Sequence, residues 1–286
     1  MSGRRPEDAT HAVSATDAGA GAILEALIFD VDGTLADTEE VHRRAFNRAF
    51  RMHALDWHWN GELYGELLGV TGGRERMHHY IDRLSLSAPQ RETLRGHVRQ
   101  IHETKTQVYT ELIALGAVAL RSGIRRLLIE ARAAGVRLAI ASTTTLANVE
   151  SLLGAVLGPS ALRWFDVIVT GNAVRHKKPA PDIYQLALAD LGLPPTQAIA
   201  FEDSAIGVEA AKAAALFTVA TPSTWTRAQD FSAADLVLPS LADPEHPLDP
   251  RDQLRIGGRW LGLEQLTRIA RMTVPQIAEA ARARSC

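Results

Sequence analysis

Asp30 and Asp32 stand two apart in FDVDGTLADTEE (29–40), directly behind an apolar run and just ahead of Gly33-Thr34. Two carboxylates at the end of a buried strand face the edge where open α/β sheets bind ligands. If both enter one cleft, their mutual repulsion makes an unneutralised pair costly, so a cation is expected beside them. Asp-Gly alone would read as a turn ahead of a helix cap; a carboxylate at a buried strand's end tilts the reading toward the cleft. A second acidic pair, Glu202 and Asp203 in FEDSAIG (201–207), follows another apolar run, AIAF. Carboxylates meeting from two strand ends form an oxygen-only site without Cys or His, which suits Mg2+ better than zinc or copper. Glu202-Asp203-Ser204 also reads as a helix cap, and the two roles are compatible.

Two more strand ends carry polar groups. VRLAIASTTT places Ser142 and Thr143 just past a strand, where hydroxyls and helix N-terminal amides can hold phosphate oxygens, although an ordinary N-cap cluster looks the same. RHKKPAPD (175–182) sets Lys177 and Lys178 before a Pro-rich turn, where an ammonium can meet a phosphoryl group and neutralise carboxylates. The four stretches gain their meaning from occurring together and in this order.

The elements that must position these residues follow from hydrophobic periodicity. Apolar runs at Ile23–Phe29, Val136–Ala141, Phe165–Val169, Ala198–Phe201, Phe217–Ala220 and Leu236–Leu238 read as strands. Helical patterns cover Ile124–Ala134 (with Gly135 as its stop), Asn148–Leu153, Asp182–Leu191 and Ile206–Ala215. Alternation of this kind implies βαβ units and a parallel sheet. Between Glu39 and Glu111 the pattern is helical, with loops expected at Trp57–Asn60, Gly72–Gly73 and Ser85–Pro89, so this stretch is an insertion behind the first strand. DPEHPLDP (243–250) reads as a turn-rich linker, followed by two short helices over Leu263–Met272 and Pro275–Ala283, the second with Thr273 and Gln276 as a capping box.

Composition narrows the function class. The 286 residues are 46% hydrophobic, and 31 Lys+Arg against 33 Asp+Glu give a net charge of −2, which argues against a nucleic-acid binder. The one cysteine, Cys286, permits no intrachain disulfide and has no evident activating partner, and the reading is a reducing, cytoplasmic setting. No run of 18 apolar residues suggests a membrane span. Residues 1–22 read as a disordered tail. His78-His79 and Trp57-His58-Trp59 read as packing or surface, since no carboxylate or thiol joins them at zinc spacing.

The ordered set of motifs resembles the haloacid dehalogenase superfamily over roughly residues 23–242. Within it the chain is similar to the CbbY-type xylulose-1,5-bisphosphate phosphatases, through FDVDGTLADTEEVH (29–42), LDWHW (55–59), TGGRERM (71–77), HETKTQ (102–107), ASTTTLANV (141–149), KKPAPDIY (177–184) and FEDSAIG (201–207). The resemblance implies an α/β fold: a Rossmann-like parallel-sheet core (23–38 and 114–242), an inserted helical cap (39–113) and a C-terminal extension (243–286). It implies Asp30 as the nucleophile forming an aspartyl-phosphate, Asp32 as general acid and base, and Ser142 and Lys178 as holders of the transferring phosphoryl group. Mg2+ would be held by Asp30, the Asp32 backbone carbonyl and Asp203, with Glu202 direct or one step removed.

The substrate contacts implied are Glu39, His42, Gly72, Gly73, Arg74, Arg76, His102, Lys105, Thr143, Thr144, Asn148 and Lys177, alongside Ser142. Gly72-Gly73 with Arg74 and Arg76 would suit a second, non-reacting phosphate. The implied reaction hydrolyses xylulose-1,5-bisphosphate to xylulose-5-phosphate and phosphate, relieving Rubisco inhibition, in a monomer whose partner is a small phosphorylated sugar. Arg74 stands where that group carries lysine, and Ser122 where a proline is common. A β-phosphoglucomutase-like mutase, a generic sugar-monophosphate phosphatase and a catalytically silent binding module share enough of the pattern to stand as alternatives.

Overall fold

The computed structural model describes residues 24–116 and 118–271. Its strands are β1 (Ala26–Phe29), β2 (Arg137–Ser142), β3 (Val167–Thr170), β4 (Ala198–Glu202), β5 (Phe217–Ala220) and β6 (Leu236–Val237), all parallel, in the order β3-β2-β1-β4-β5-β6. The fold is the expected Rossmann-like sheet. Phe29 pairs with Ile140 of β2 and Phe201 of β4, so the residues that follow these strands emerge together at one edge. The first strand starts at Ala26; Ile23 lies outside the described residues, as do the 1–22 tail, Cys286, Met272 and the expected helix at Pro275–Ala283 with its Thr273 cap.

Period-two alternation explains why β1 is buried on both faces. Leu27 and Phe29 join Leu138, Ile140, Ile199 and Phe201 in the larger core cluster, where the Phe29 and Phe201 rings stack at 4.6 Å. That cluster takes in Leu127 and Leu128 of α5 (Ile124–Ala133) and Leu152 and Leu153 of α6 (Leu146–Leu157). On the other face Ala26, Ile28, Ala139, Ala141, Ala198 and Ala200 meet α7 (Asp182–Leu191) and α8 (Ala205–Ala213). Both faces of a parallel sheet are covered, which is why these strands are almost wholly apolar.

Four helices lie between β1 and α5: α1 (Glu39–Met52), α2 (Gly61–Leu67), α3 (Gly73–Arg83) and α4 (Ala88–Ala114). They build a cluster of their own around Phe46, Phe50, Trp59, Tyr64 and Met77, with Trp59 fully buried. α1 and α4 also reach the sheet, placing Val41, Ala45, Val108, Tyr109 and Ile113 in the larger core cluster. Two expected loops are shorter than anticipated. Gly73 opens α3, and Pro89 sits in the first turn of α4, where its missing N–H costs nothing, behind a Ser87–Gln90 capping box.

The turn-rich stretch 243–250 runs straight into α9 (Pro250–Ile256), a helix absent from the sequence reading: Asp249 caps it and Pro250 starts it. A further helix spans 263–271. Leu248, Ile256, Leu261 and Leu266 join the larger core cluster, so this extension packs on the sheet side of the molecule. No described helix is long and apolar enough to cross a membrane.

Candidate active site

Asp30 leaves the end of β1 with its carboxylate held by Lys178 Nζ at 2.7 Å and by the Thr34 hydroxyl at 3.3 Å. Lys178 also donates to Glu202 Oε1 at 2.6 Å, and the Tyr184 hydroxyl donates to that oxygen at 2.5 Å. Burial raises the Asp30 carboxyl to about 7, with Glu202 and Asp32 adding to the rise while Lys178 opposes it. Burial would lower Lys178, but Asp30 and Glu202 hold it above the ordinary lysine range. Burial together with Asp30 and Glu202 likewise pushes Asp203 well up.

Ligand oxygens of Asp30, Glu202 and Asp203 lie within 4.8 Å of one another, all three residues buried. One ammonium cannot neutralise three buried carboxylates, and the groups that reach Asp203, the Thr226 hydroxyl at 3.2 Å and Ser223, are neutral. A hard divalent cation fits this donor set. Gly33, at φ +86°, is a structural necessity here, because a Cβ at that position would run into the Asp203 carboxylate.

Asp32 faces the insertion. Its Oδ1 receives the Thr38 hydroxyl at 2.6 Å and lies 2.9 Å from His42 Nε2. Lys105 Nζ donates to His42 Nδ1 at 2.5 Å, which leaves Nε2 as the nitrogen carrying the hydrogen toward Asp32. Burial alone would raise Asp32, yet His42, Thr38 and Lys105 pull it far below the carboxylate range. Burial depresses Lys105 to about 7. His42 stacks on Tyr109 at 4.2 Å, which fixes its ring plane.

Ser142 ends β2, buried, and the Thr144 amide donates to its Oγ at 3.4 Å. Asn148, in the first turn of α6, donates to Thr144 Oγ1 at 2.9 Å, while its own Oδ1 is buried without a partner. Thr143 and Thr144 line the cleft beside them.

The opposite wall comes from the insertion. Glu39, Gly72, Gly73, Arg74, Arg76, His102 and Lys105 line the same cleft as Asp30, Asp32 and Lys177. Most of these groups already have protein partners. Arg76 is buried and donates to the Leu67 carbonyl at 3.1 Å and to the Tyr64 hydroxyl at 3.0 Å. The Tyr64 hydroxyl in turn donates to Glu39 at 2.7 Å. Arg74 reaches across to Asn172 at 3.0 Å, and Lys177 pairs with Glu75 at 2.7 Å. Burial and the cations around it hold His102 down to about 3, so its ring is neutral against Gly73.

Every sequence-predicted site residue except Glu202 lines this one cleft; Glu202 lies behind it, fully buried, between Lys178 and Tyr184. Sequence reasoning missed the residues that aim the others: Thr38, Tyr64, Tyr184, Thr226 and Asn172. A hydroxyl that orients a carboxylate across the fold leaves no local spacing signal. Tyr184 falls inside the quoted KPAPDIY stretch, but only the tertiary arrangement gives it a partner.

Comparison with known proteins agrees with this geometry. CbbY from Rhodobacter capsulatus is 51% identical over 219 residues, covering 77% of this chain and 94% of that protein. A CbbY from Cupriavidus necator is 44% identical over 243 residues, covering 85% of this chain and 95% of its own length. The crystal structure of a mutant CbbY from Rhodobacter sphaeroides in complex with xylulose-1,5-bisphosphate superposes with a TM-score of 0.72. It is 47% identical and covers 77% of this chain and 96% of that one. Residues 24–215, which carry all four strand-end motifs, match the haloacid dehalogenase-like hydrolases, and the chain is a member of that family.

Proposed function

We propose that this chain hydrolyses xylulose-1,5-bisphosphate to xylulose-5-phosphate and phosphate, through a phosphorylated Asp30 and with Mg2+ as its cation. The observation that carries the reading is a single cleft with Asp30 and Lys178 on the sheet wall and Arg74, Arg76 and Lys105 on the facing wall. Such a cleft offers cationic groups to both ends of a bisphosphate. The CbbY relatives support the same substrate.

Asp30 attacks phosphorus as the bond to the sugar oxygen breaks, and that oxygen takes its proton through Asp32, which is ionised in the free protein and picks the proton up from the entering phosphate monoanion. Asp32 then accepts a proton from water as the water's oxygen attacks the aspartyl-phosphate, which releases phosphate and restores the Asp30 carboxylate. The close His42 contact holds Asp32 as the base required in that second half. Lys178 opposes the burial that favours a protonated Asp30 and, with Ser142, steadies the phosphoryl oxygens. Asp30, the Asp32 carbonyl and Asp203, with Glu202 alongside, would hold Mg2+, which when bound would neutralise the charge gathered there. Glu39, aimed by Tyr64, accepts hydrogen bonds from sugar hydroxyls.

The test is Asp30→Asn assayed for phosphate release from xylulose-1,5-bisphosphate. Turnover should fall by roughly 10^4-fold or more while the circular dichroism spectrum stays unchanged. Phosphate release persisting in that variant sinks the mechanism. Wild-type enzyme that returns an isomerised sugar phosphate instead of free phosphate points to a mutase.

A further inference from the structure

Arg121 lies where the chain re-enters the sheet domain from the insertion, and its side chain is only 10% exposed. The two connecting segments pair there: Ala36 bridges Leu120, and the Arg121 amide donates to the Leu35 carbonyl at 2.9 Å. Its guanidinium spans backbone carbonyls from three distant segments. Nη1 donates to Gly33 O and Thr221 O, both at 2.5 Å. Nη2 donates to Pro222 O at 2.9 Å and to Pro239 O at 3.3 Å. The nearest carboxylate is Asp37, which is more than half exposed and 3.6 Å from Nε. A buried guanidinium directed mainly at main-chain oxygens fixes geometry more than it balances charge.

Of the carbonyls it holds, Gly33 belongs to the loop that carries Asp30 and Asp32, while Thr221 and Pro222 open the segment after β5 that lies against Glu202 and Asp203. Gly33 follows Asp30 and Asp32 and packs so closely on Asp203 that a Cβ there has no room. The Thr221 amide donates to the Glu202 carbonyl at 2.7 Å. Four residues beyond Pro222, the Thr226 hydroxyl donates to Asp203 O at 2.6 Å and to its Oδ2 at 3.2 Å. Asp32 is therefore next in the chain to a carbonyl held by this planar fork, and Glu202 and Asp203 are hydrogen-bonded to the Thr221–Thr226 segment that the same fork holds.

We infer that Arg121 is a positioning residue that sets the spacing of Asp30 and Asp32 against Glu202 and Asp203 from the hinge of the insertion. The inference rests on these carboxylates being the reacting, metal-holding centre, as proposed above. Lysine keeps the charge, but its compact ammonium cannot span carbonyls on three segments, so Arg121→Lys separates geometry from charge.

The experiment measures xylulose-1,5-bisphosphate turnover and Mg2+ binding by calorimetry on wild type, Arg121→Lys, Arg121→Ala, Asp37→Asn and Asp203→Asn. Arg121→Lys should remain folded, lose about 10- to 100-fold in kcat with KM little changed, and bind Mg2+ about 10-fold more weakly. Arg121→Ala should recover kcat and Mg2+ affinity with added methylguanidinium but not methylammonium. Asp37→Asn should stay within about twofold of wild type, because the exposed ion pair contributes little. Arg121→Lys with wild-type kcat and Mg2+ affinity, or a loss that tracks only the unfolded fraction, overturns the positioning role. Asp203→Asn that binds Mg2+ as wild type does overturns the reading of the acidic cluster and this inference with it.

Discussion

The two walls of the cleft use charge in different ways. On the sheet wall, Lys178 is sealed between Asp30, the proposed nucleophile, and Glu202. On the facing wall, Arg76 holds its own helix through the Leu67 carbonyl, while Arg74 and Lys177 join the walls through Asn172 and Glu75. One wall is fixed by strands in register and by buried ion pairs. The other is fixed by cations already engaged with protein, which a substrate must share or displace. In the proposed mechanism the bond-breaking groups follow the strand ends, and the cations that would grip the second phosphate come from the insertion.

Removing Lys178 should break this asymmetry most severely. Lys178→Met leaves Asp30 and Glu202 buried without a counter-charge, a change that costs about 3–5 kcal/mol. Turnover should fall roughly 100- to 1000-fold, since a donor aimed at the transferring group is lost as well. Thermal melts and phosphate release measured together check both halves. A variant that melts as wild type does would mean that the buried pair is not ionised.

On the facing wall the same kind of loss should appear in binding. Arg74→Ala with Arg76→Ala should raise KM for xylulose-1,5-bisphosphate by roughly 10- to 100-fold, the contribution of one or two hydrogen bonds to a charged group. KM for a sugar monophosphate should move by no more than about threefold. Equal effects on both substrates would favour a generic phosphatase. Arg76→Ala alone should also lower the melting temperature, because its guanidinium satisfies the Leu67 carbonyl.

A pH titration sharpens the comparison through Lys105. Burial holds this lysine at about 7, against 10.5 for an unperturbed one. Below pH 7 the free enzyme presents an ammonium to the substrate; above it the charge is lost. The ratio kcat/KM for the bisphosphate should therefore fall by about 10-fold per pH unit on the alkaline side of pH 7, and the fall should vanish in Lys105→Met. For stability the sign is the reverse. The unfolded chain binds the Lys105 proton more readily than the folded one, so this residue's contribution to stability rises between about pH 7 and 10.5 and is lost as pH falls. Lys105→Met should accordingly stabilise the protein most at pH 6, as read from urea midpoints.

Sequence information was similarly uneven. The sheet wall was legible because a carboxylate behind four apolar residues can stand only at a strand end, and parallel strands bring their ends to one edge. Asp30, Ser142 and Glu202 were placed by that reasoning alone. The facing wall was legible as a helical insertion, but the partners of its cations were not. Nothing in the spacing of Arg76 announces the Leu67 carbonyl or Tyr64, and nothing around Asp32 announces His42 above the other histidines. The short helix Pro250–Ile256 escaped because prolines dominate its approach, although Pro250 itself begins it.

The smallest predicted effect separates the walls most cleanly, because the same local change is made on each. Ser204 caps α8 by accepting from the Gly207 amide at 3.2 Å, and Asn60 caps α2 by accepting from Leu63 at 2.8 Å. Mutation of either residue to alanine removes an N-cap and should cost about 1 kcal/mol. Their kinetic consequences should differ. The first turn of α8 lies directly on Glu202, so close that a Cβ on Gly207 would run into its carboxylate. Loosening that turn moves a group that orients Lys178, so Ser204→Ala should lower kcat by about 3- to 10-fold. Asn60→Ala loosens a helix that reaches the cleft through Tyr64, which touches Glu39 and Arg76 and none of Asp30, Lys178 or Glu202, and kcat should stay within about twofold of wild type. Equal losses of kcat from the two variants would mean that the facing wall positions the reacting groups as tightly as the sheet does.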